Sequence, residues 1–486
     1  MMRHMTATPL RQSPVSLQPA WPVRGFFPQT ERELTIERID GQVPRELLGA
    51  FYRIGPATLD VYGQPNRHWF DGDGMICGFY FTPGKVTFRN RFVATPWFER
   101  ERAAQRRLFS AFATVAPTLR GHLRRPKNPA NTNIIAHDGR LLALYEAGRP
   151  FAVEPQSLAT RGEESFGGTL PSYATFSAHP HRDRHSGSLI SVGLSFRIGA
   201  RGPQPVAEVW EVATDGSARR GRTIPLRHAD VIHSVGMTQS KIIVLLGPYG
   251  LDLKKVPGLL AGHHGLLDCT TWRASDPLTV YVADRTGSAP PEIYELPTAF
   301  MIHTVNAFAQ DDALVVDAIL HPDPGLIDSI RLPFREPTSR AGGLTRLHLR
   351  PQGRVDVEQV CPVAMEFPAI LPARAGLVSR YAYAGKFERS DGTTAATSVL
   401  LKVDCTTGLT QECDLGAGCV FGEPVLVPRR QSSAQDDAWA LSLGYDGRDH
   451  HSFLSIIGAD SWTEVARLHL PFHVPMGLHA TFVPSS

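Results

Sequence analysis

The sequence lacks an excess of charge of either sign. Its 486 residues include 50 lysines and arginines and 47 aspartates and glutamates, so the formal net charge is only +3. Proteins that bind nucleic acids usually carry a clear basic patch or a strongly basic domain. The balance of charges therefore argues against nucleic acid as a partner.

Long apolar runs are also missing. A transmembrane helix needs about 20 consecutive apolar residues, and no stretch of the chain reaches that length. The N-terminus has no continuous apolar segment before Pro19 and Pro22, so it does not resemble a secretory signal peptide. We expect a cytoplasmic protein that is attached at most peripherally, to one face of a membrane.

Cysteine is scarce and scattered. The six cysteines form no CxxC pair and no zinc-type spacing with histidine. In a chain of this length, such a distribution is typical of free thiols in a reducing compartment.

The chain does contain a long series of short, β-rich apolar runs that end at Gly, Pro, Asp or Asn. Residues 75–81, 189–194 and 313–319 are examples. Long amphipathic helices are rare, and residues 99–112 are the best candidate. Because strands cover the whole length without alternating helices, the pattern predicts an all-β protein and argues against a βαβ fold.

Several large all-β architectures suit this pattern, and a β-propeller suits many short strands in one chain best. We see no repeat of the WD or kelch kind. The first 30 residues are rich in Pro, Gln, Ser and Thr and are predicted to be flexible. No boundary is visible afterwards, so we expect residues 31–486 to form a single domain.

Two segments, residues 106–128 and 246–267, combine apolar with basic side chains. One interpretation is a pair of long loops packed on the body of the protein. The other is an apolar lip with a basic rim that dips into a membrane surface. The sequence leaves both open.

Four of the 19 histidines stand in apolar, strand-like surroundings, and no compact HExxH motif is present. Apolar flanks place an imidazole inward, and a buried imidazole needs a partner, a proton or a metal. Four converging imidazoles would suit iron, copper, zinc or nickel, so the ligand type alone does not choose the metal. The four are His179, His233, His303 and His479.

Local motifs along most of the chain resemble those of the carotenoid cleavage oxygenases. Residues 49–56, GAFYRIGP, are similar to the family's GxYxRNGP with Ile54 in place of Asn, and residues 68–75 have its HWFDGDGM unchanged. The segments NTN at 131–133 and LLALYEAG at 141–148 follow. The surroundings of the four histidines, SAHP, IHSVGMT, HTVNAF and GLH, then come in the family's order.

The resemblance implies a seven-bladed β-propeller, with a few short helices and loops that cap one face over an iron site. Each of the four histidines would come from a different blade and bind Fe(2+). Glutamates matching Glu146, Glu366 and Glu423 would accept hydrogen bonds from the other ring nitrogens of the ligands, an arrangement that fixes the tautomer of a ligating histidine. The Asp-Gly-Asp-Gly segment at 71–74 would be a structural turn, although a calcium loop is the alternative.

The implied reaction is the oxidative cleavage by O2 of one carbon–carbon double bond of a polyene, a carotenoid or apocarotenoid, to carbonyl products. It requires no protein acid or base beyond the metal centre. Stilbene-cleaving relatives typically carry Lys where this chain has Tyr145, and we name Tyr145 as the candidate substrate-binding residue. The alternatives are cleavage of a stilbene-type alkene, a retinyl-ester isomerohydrolase, or a non-catalytic carotenoid-binding propeller.

Overall fold

Antiparallel strands dominate the described chain. The computed structural model describes residues 23–122, 125–200, 202–332, 334, 341–387, 398–429 and 434–485. The flexible segment predicted over residues 1–30 falls largely outside these ranges, because residues 1–22 are not among them. That prediction and the single domain over residues 31–486 stay predictions.

The strands, in chain order, have the following bounds. The first seven are β1 (Glu33–Thr35), β2 (Ile39–Gly41), β3 (Gly49–Pro56), β4 (Asp60–Val61), β5 (Gln64–Pro65), β6 (Gly74–Thr82) and β7 (Lys85–Phe92). Then come β8 (Asn133–His137), β9 (Arg140–Leu144), β10 (Phe151–Val153), β11 (Thr160–Glu163), β12 (His181–Arg182), β13 (Leu189–Gly199) and β14 (Gly202–Val212). They are followed by β15 (Ala218–Pro225), β16 (Gly236–Met237), β17 (Lys241–Leu246), β18 (Tyr249–Leu251), β19 (Thr270–Trp272), β20 (Leu278–Asp284) and β21 (Glu292–Leu296).

The second half of the chain contributes fourteen more. These are β22 (Phe300–Gln310), β23 (Ala313–His321), β24 (Gly343–Arg350), β25 (Arg354–Cys361), β26 (Met365–Ala369), β27 (Tyr381–Lys386) and β28 (Val399–Asp404). The last are β29 (Thr410–Asp414), β30 (Cys419–Val420), β31 (Val425–Pro428), β32 (Ala438–Asp446), β33 (His451–Gly458), β34 (Thr463–His469) and β35 (Ala480–Pro484).

Seven sheets of four or more strands succeed one another along the chain, and we call them blades 1 to 7. Blade 1 has the order β1-β7-β6-β3-β35, blade 2 β11-β10-β9-β8, blade 3 β12-β13-β14-β15 and blade 4 β16-β17-β20-β21. Blade 5 has the order β22-β23-β24-β25, blade 6 β26-β27-β28-β29, and blade 7 β2-β34-β33-β32 with β30 and β31 both paired to β32. The predicted seven-bladed β-propeller is confirmed.

Both ends of the described chain close the ring. The C-terminal strand β35 pairs with β3 in blade 1, from Gly49 opposite Pro484 to Arg53 opposite Ala480. The early strand β2 pairs with β34 in blade 7. Blade 1 thus combines strands from the two ends of the sequence, which leaves no open gap between the first and last sheets.

The core lies between neighbouring blades, and the pleat of each strand divides its side chains between the two sides. In β9, Leu141 and Ala143 pack with apolar residues of blade 1, whereas Leu142 and Leu144 pack with those of blade 3. Because successive side chains of a strand point to opposite faces, a strand buried on both faces must be apolar throughout. This explains the short, continuous apolar runs of the sequence.

The helices are short. They are α1 (Pro96–Ala104), α2 (Leu119–His122), α3 (Val256–Leu260) and α4 (Gly325–Ser329), together with 3₁₀ turns at Val23–Phe26, Trp69–Asp71, Leu253–Lys255, Leu267–Cys269, Pro351–Gly353 and Pro372–Arg374. In the described part of the chain, none of the helices is long and apolar enough to span a bilayer.

The helix predicted over residues 99–112 is wrong in both bounds. Helix α1 begins earlier because Thr95 caps the backbone N–H of Phe98 and Pro96 occupies the first turn. It ends at residue 104, where Gln105 takes a left-handed conformation with φ 51°. The rest of the predicted helix is irregular.

The carboxylates of the Asp-Gly-Asp-Gly segment bind protein donors. Asp71 accepts hydrogen bonds from the Ala113 N–H at 2.7 Å and from the Thr114 hydroxyl at 2.6 Å. Asp73 lies 2.8 Å from the ammonium group of Lys127. Both aspartates are buried, so their contacts favour the structural turn over the calcium loop. All six cysteines are buried and free, as the sequence predicted.

Candidate metal centre

The four predicted histidines come from four different blades. His303 lies in β22, the first strand of blade 5. His179 and His233 lie just before β12 and β16, the first strands of blades 3 and 4, and His479 directly precedes β35 of blade 1. Each of these strands is at the same edge of its sheet order, so the propeller brings the four side chains together.

The imidazoles converge through their Nε2 atoms. The Nε2 atom of His233 is 3.0 Å from that of His179 and 3.2 Å from that of His303, and the Nε2 atoms of His303 and His479 are 3.4 Å apart. One potential ligand atom from each of the four histidines falls within 4.8 Å of all the others. Two nitrogens bound at about 2.1 Å to one ion at right angles would be about 3 Å apart, so the spacing fits a single ion.

Three of the imidazoles hydrogen-bond to carboxylates through Nδ1. His233 Nδ1 is 2.6 Å from Glu146, His303 Nδ1 is 2.6 Å from Glu366, and His479 Nδ1 is 3.0 Å from Glu423. The three glutamates named from the family resemblance are thus the hydrogen-bond partners of three of the imidazoles. Because an ionised carboxylate can only accept, each of these Nδ1 atoms carries a proton, and in the neutral form of the imidazole Nε2 then presents a lone pair.

These converging lone pairs repel one another unless a cation lies between them. Burial and the neighbouring imidazoles hold the pKa of His179 well below its usual value. Burial also lowers the pKa of His303, although the carboxylate of Glu366 opposes this. Both shifts favour the neutral imidazoles of His179 and His303 at neutral pH, and neutral imidazoles suit a divalent transition metal.

The glutamates supply the compensating charge. Burial raises the pKa of Glu366, but its contacts with His303 and His321 outweigh this and hold the pKa far below the usual range. For Glu146 the effect of burial is likewise outweighed by the hydrogen bond from His233, and its pKa is lowered. Both groups are ionised at neutral pH, so they favour a cation at the centre.

An aromatic side chain borders the site. The ring of Phe367 lies 5.6 Å from that of His479 and 5.9 Å from that of His303. The backbone of Phe367 has φ 56°, at a point where the β26–β27 register shifts. This bulge directs the ring toward the histidines, and the ring also packs with the apolar cluster that includes Trp69 and Leu478.

Tyr145 follows the end of β9 and immediately precedes Glu146. Its side chain is half-buried. Burial raises the pKa of the phenol, and the negative charges of Glu146 and Asp71 raise it further. Tyr145 is therefore a neutral hydroxyl at the edge of the predicted site.

Sequence reasoning missed His321 and Phe367. His321 is buried and donates to Glu366 at 2.8 Å. It ends an apolar run, as several other histidines do, and nothing in its local sequence separates it from them. Its role depends on contacts with residues distant in sequence.

Comparisons with known proteins agree on one family. The family model described as "Retinal pigment epithelial membrane protein" matches residues 26–484. The apocarotenoid-15,15'-oxygenase of Synechocystis sp. is 30% identical over 502 residues, which cover 98% of this chain and 99% of that protein. A carotenoid cleavage oxygenase of Mycobacterium tuberculosis is 29% identical over 96% of this chain and 97% of its own length. The resveratrol cleavage oxygenase 1 of Aspergillus fumigatus is 27% identical over 94% of each chain.

Solved structures give the same picture. The crystal structure of the cobalt-substituted Synechocystis ACO superposes with a TM-score of 0.87 and 28% identity. The match covers 95% of this chain and 98% of that one.

Proposed function

Since this chain belongs to the carotenoid cleavage oxygenase family, we propose that it is an Fe(II)-dependent dioxygenase. It cleaves one carbon–carbon double bond of a carotenoid or apocarotenoid to two carbonyl products. The observation that carries this proposal is the convergence of four Nε2 atoms, from His179, His233, His303 and His479, within 4.8 Å of one another. Relatives named apocarotenoid and carotenoid cleavage oxygenases support it along nearly the whole chain.

Bound iron would supply the activation of O2 beside the alkene. The protein's own task is to hold and shield this site. Glu146, Glu366 and Glu423 keep the Nδ1 protons in place, so the Nε2 lone pairs stay directed at the centre. The ring of Phe367 adds an apolar wall that excludes water and offers a surface for a polyene. We assign no general acid or base.

The position of Tyr145 favours a polyene over a hydroxystilbene. A lysine there would offer a cation to the phenol of a stilbene, whereas Tyr145 keeps its proton because burial raises its pKa. The second candidate is a stilbene-type alkene, since a resveratrol cleavage oxygenase is among the relatives. A retinyl-ester isomerohydrolase would use the same metal centre but consume no O2.

The test is turnover by the iron-loaded protein. Purified protein is incubated with carotenoids, apocarotenals, resveratrol and a retinyl ester, with and without O2, and the products are identified by mass. We expect O2-dependent aldehydes from a carotenoid or an apocarotenal. Cleavage of resveratrol alone, or release of retinol without O2, would replace the proposal with one of the alternatives. No product from any of them would refute an enzymatic role.

Two variants link turnover to the site. His303→Ala should abolish both iron binding and turnover, because it removes a proposed ligand and one of the two imidazoles that bind Glu366. The matched control is His137→Ala, which changes another buried histidine that ends β8 in blade 2. A fully active His303→Ala protein would contradict the ligand assignment.

We also infer that the protein is cytoplasmic and that it contacts a membrane with the face formed by the described residues of the segments 106–128 and 246–267. The two segments adjoin, since the N–H of Leu267 donates to the carbonyl of Phe112 at 3.0 Å. Leu119, Leu253 and Leu260 are 61%, 48% and 66% exposed. Lys254 and Lys255 lie between Leu253 and Leu260 in the chain, and Lys255 lines a cavity of about 600 Å³ together with Arg67, which pairs with Asp268 at 2.7 Å. Exposed leucines beside cationic groups suit the interface of an anionic bilayer.

A further inference from the structure

Glu366 binds two imidazoles at once. Its Oε2 atom accepts from His303 Nδ1 at 2.6 Å, and its Oε1 atom accepts from His321 Nε2 at 2.8 Å. The backbone N–H of Phe367 donates to Oε2 as well, at 2.8 Å. These hydrogen bonds connect the side chains of His303, Glu366 and His321, and all three side chains are buried.

The backbone fixes the tautomer of His321. The N–H of Gly342 donates to His321 Nδ1 at 2.8 Å. A backbone N–H can only donate, so Nδ1 has no proton and Nε2 carries it. His321 is therefore a neutral imidazole, with one nitrogen committed to Gly342 and the other to Glu366.

Gly342 holds this arrangement between two blades. Its carbonyl accepts the N–H of Met365, the residue before Glu366, at 2.9 Å. A Cβ atom at position 342 would lie 1.7 Å from the carbonyl oxygen of Leu320, so only glycine fits there. Through these two hydrogen bonds, Gly342 connects His321, at the end of β23 in blade 5, to Met365, at the start of β26 in blade 6.

The other two glutamates have a different environment. Glu423 accepts from His479 and from the N–H of Ala480 at 2.7 Å, and Glu146 accepts from His233 and, at 3.4 Å, from the hydroxyl of Thr132. Within the described chain, no second imidazole is recorded on either carboxylate. Glu366, the partner of His303, thus differs from the other two glutamates in having a second imidazole as a hydrogen-bond partner.

We propose that His321 is a positioning residue for the metal centre. It fixes the carboxylate plane of Glu366 so that Oε2 faces His303, and it withdraws part of the negative charge of Glu366 from that ligand. His303 is then held in one orientation as a neutral imidazole. Outer contacts of this kind tune both the orientation and the basicity of a ligand. The inference rests on the proposed metal centre.

Two substitutions of His321 separate its two hydrogen bonds. In His321→Asn, the side-chain oxygen can still accept from Gly342, but the shorter side chain does not reach Glu366. In His321→Gln, the amide N–H₂ can extend to Glu366. Both are neutral and polar, so the buried N–H of Gly342 is not left beside an apolar group. The matched control is His137→Asn, because both ring nitrogens of buried His137 lack a hydrogen-bond partner among the described residues.

The probe is Co²⁺ alone, added to the metal-free full-length protein. Its affinity is measured by competition with a chromogenic chelator, and its visible absorption reports the number and arrangement of ligands. We expect His321→Asn to bind Co²⁺ about tenfold more weakly, with a shifted absorption spectrum, because loss of an outer contact typically costs 10–100-fold in metal affinity. His321→Gln should recover most of the affinity and the spectrum, and His137→Asn should match the wild type.

The outcomes distinguish this inference from the proposed function. If the wild type itself binds no Co²⁺, the metal centre fails and the inference falls with it. If the wild type binds Co²⁺ and His321→Asn has the same affinity and spectrum, only the role of His321 is overturned. Circular dichroism and the melting temperature of each metal-free variant show whether it is folded. If His321→Asn does not fold, the comparison is made between folded His321→Gln and the control His137→Asn. The inference is also overturned if these two variants bind Co²⁺ with equally weakened affinity and equally shifted spectra, because the effect is then not specific to position 321.

Discussion

His233 and Glu146 bind each other across blade 3: Nδ1 of the histidine, from blade 4, lies 2.6 Å from Oε1 of the glutamate, from blade 2. The contact fixes the tautomer of His233 and also places a negative charge beside the converging Nε2 atoms. In Glu146→Gln, the amide oxygen can still accept the hydrogen bond from Nδ1 of His233, but the negative charge is lost. We expect Co²⁺ to bind about 10–100-fold more weakly to this variant.

A competition titration with a chromogenic chelator measures the effect. The matched control is Glu412→Gln, which removes a carboxylate from the outer strand β29, where Glu412 pairs with Lys386 at 2.8 Å. It should leave the affinity for Co²⁺ unchanged. Wild-type affinity in Glu146→Gln would show that the charge of Glu146 does not act on the metal.

Lys127 is a buried cation with two buried partners. Its ammonium group lies 2.8 Å from Asp73 and 2.8 Å from Glu101. Replacing it by Met leaves two carboxylates buried without their cation, a change that typically costs about 3–5 kcal/mol. We therefore expect Lys127→Met to lower the free energy of unfolding by about that amount, as measured by urea denaturation of the metal-free protein.

Lys241→Met is the control, because Lys241 pairs with Asp284 at 2.8 Å on the surface. Exposed ion pairs contribute little, so its unfolding curve should overlap that of the wild type. If both substitutions lower the free energy of unfolding by the same small amount, the buried ion pairs of Lys127 with Asp73 and Glu101 do not stabilise the fold.

The sequence predicted the strands well for a physical reason. Each blade is covered on both faces, so its strands are continuous apolar runs such as residues 141–144, whose side chains alternate between two clusters. The number of blades does not follow from that pattern, because no repeat marks one blade from the next. It came only from the family resemblance. The end of α1 was misjudged because it depends on the single left-handed residue Gln105.

The candidate site likewise contains some residues that the sequence predicted and others that it could not predict. His179, His233, His303 and His479 each stand in a recognisable motif, and the propeller fold brings their Nε2 atoms together. His321 has no such motif. Its partners are Gly342, 21 positions away, and Glu366, 45 positions away. Only the pairing of β23 with β24 in blade 5, and the packing of β26 of blade 6 against β23, place them side by side. Contacts of this kind are invisible to local sequence patterns.

Asp183 provides an acid-sensitive contribution to stability. Burial raises its pKa, but the backbone N–H groups of Ser186 and His185 and the guanidinium of Arg285 outweigh this and lower it from 3.8 to about 2. As the pH falls, the unfolded chain takes up a proton at Asp183 before the folded chain does. The stabilisation is therefore complete above about pH 4 and is lost toward pH 2.

Asp183→Asn removes this ionisation. We expect the variant to be less stable than the wild type at pH 6, and the difference in unfolding free energy to narrow as the pH falls from 4 to 3. Urea denaturation of both metal-free proteins across this range measures it. A difference that stays constant with pH would show that Asp183 has the same pKa in the folded and unfolded chains.

The proposed membrane face makes the last prediction. Leu253 and Leu260 are exposed on the short helical segment that also carries Lys254 and Lys255. If these leucines enter the interface of a bilayer, charged replacements must pay the cost of burying an ion there. We expect wild-type protein to float with vesicles that contain anionic phospholipid, and Leu253→Glu/Leu260→Glu to remain with the unbound fraction.

The control must be equally exposed and equally changed in charge. Leu409→Glu/Val378→Glu meets this requirement, because Leu409 is 71% exposed at the turn between β28 and β29 and Val378 is 51% exposed between β26 and β27, both in blade 6. Loss of flotation in both proteins would indicate that net charge alone decides binding. Loss only in Leu253→Glu/Leu260→Glu would locate the contact at residues 253–260, whereas no flotation of the wild type would refute the membrane face.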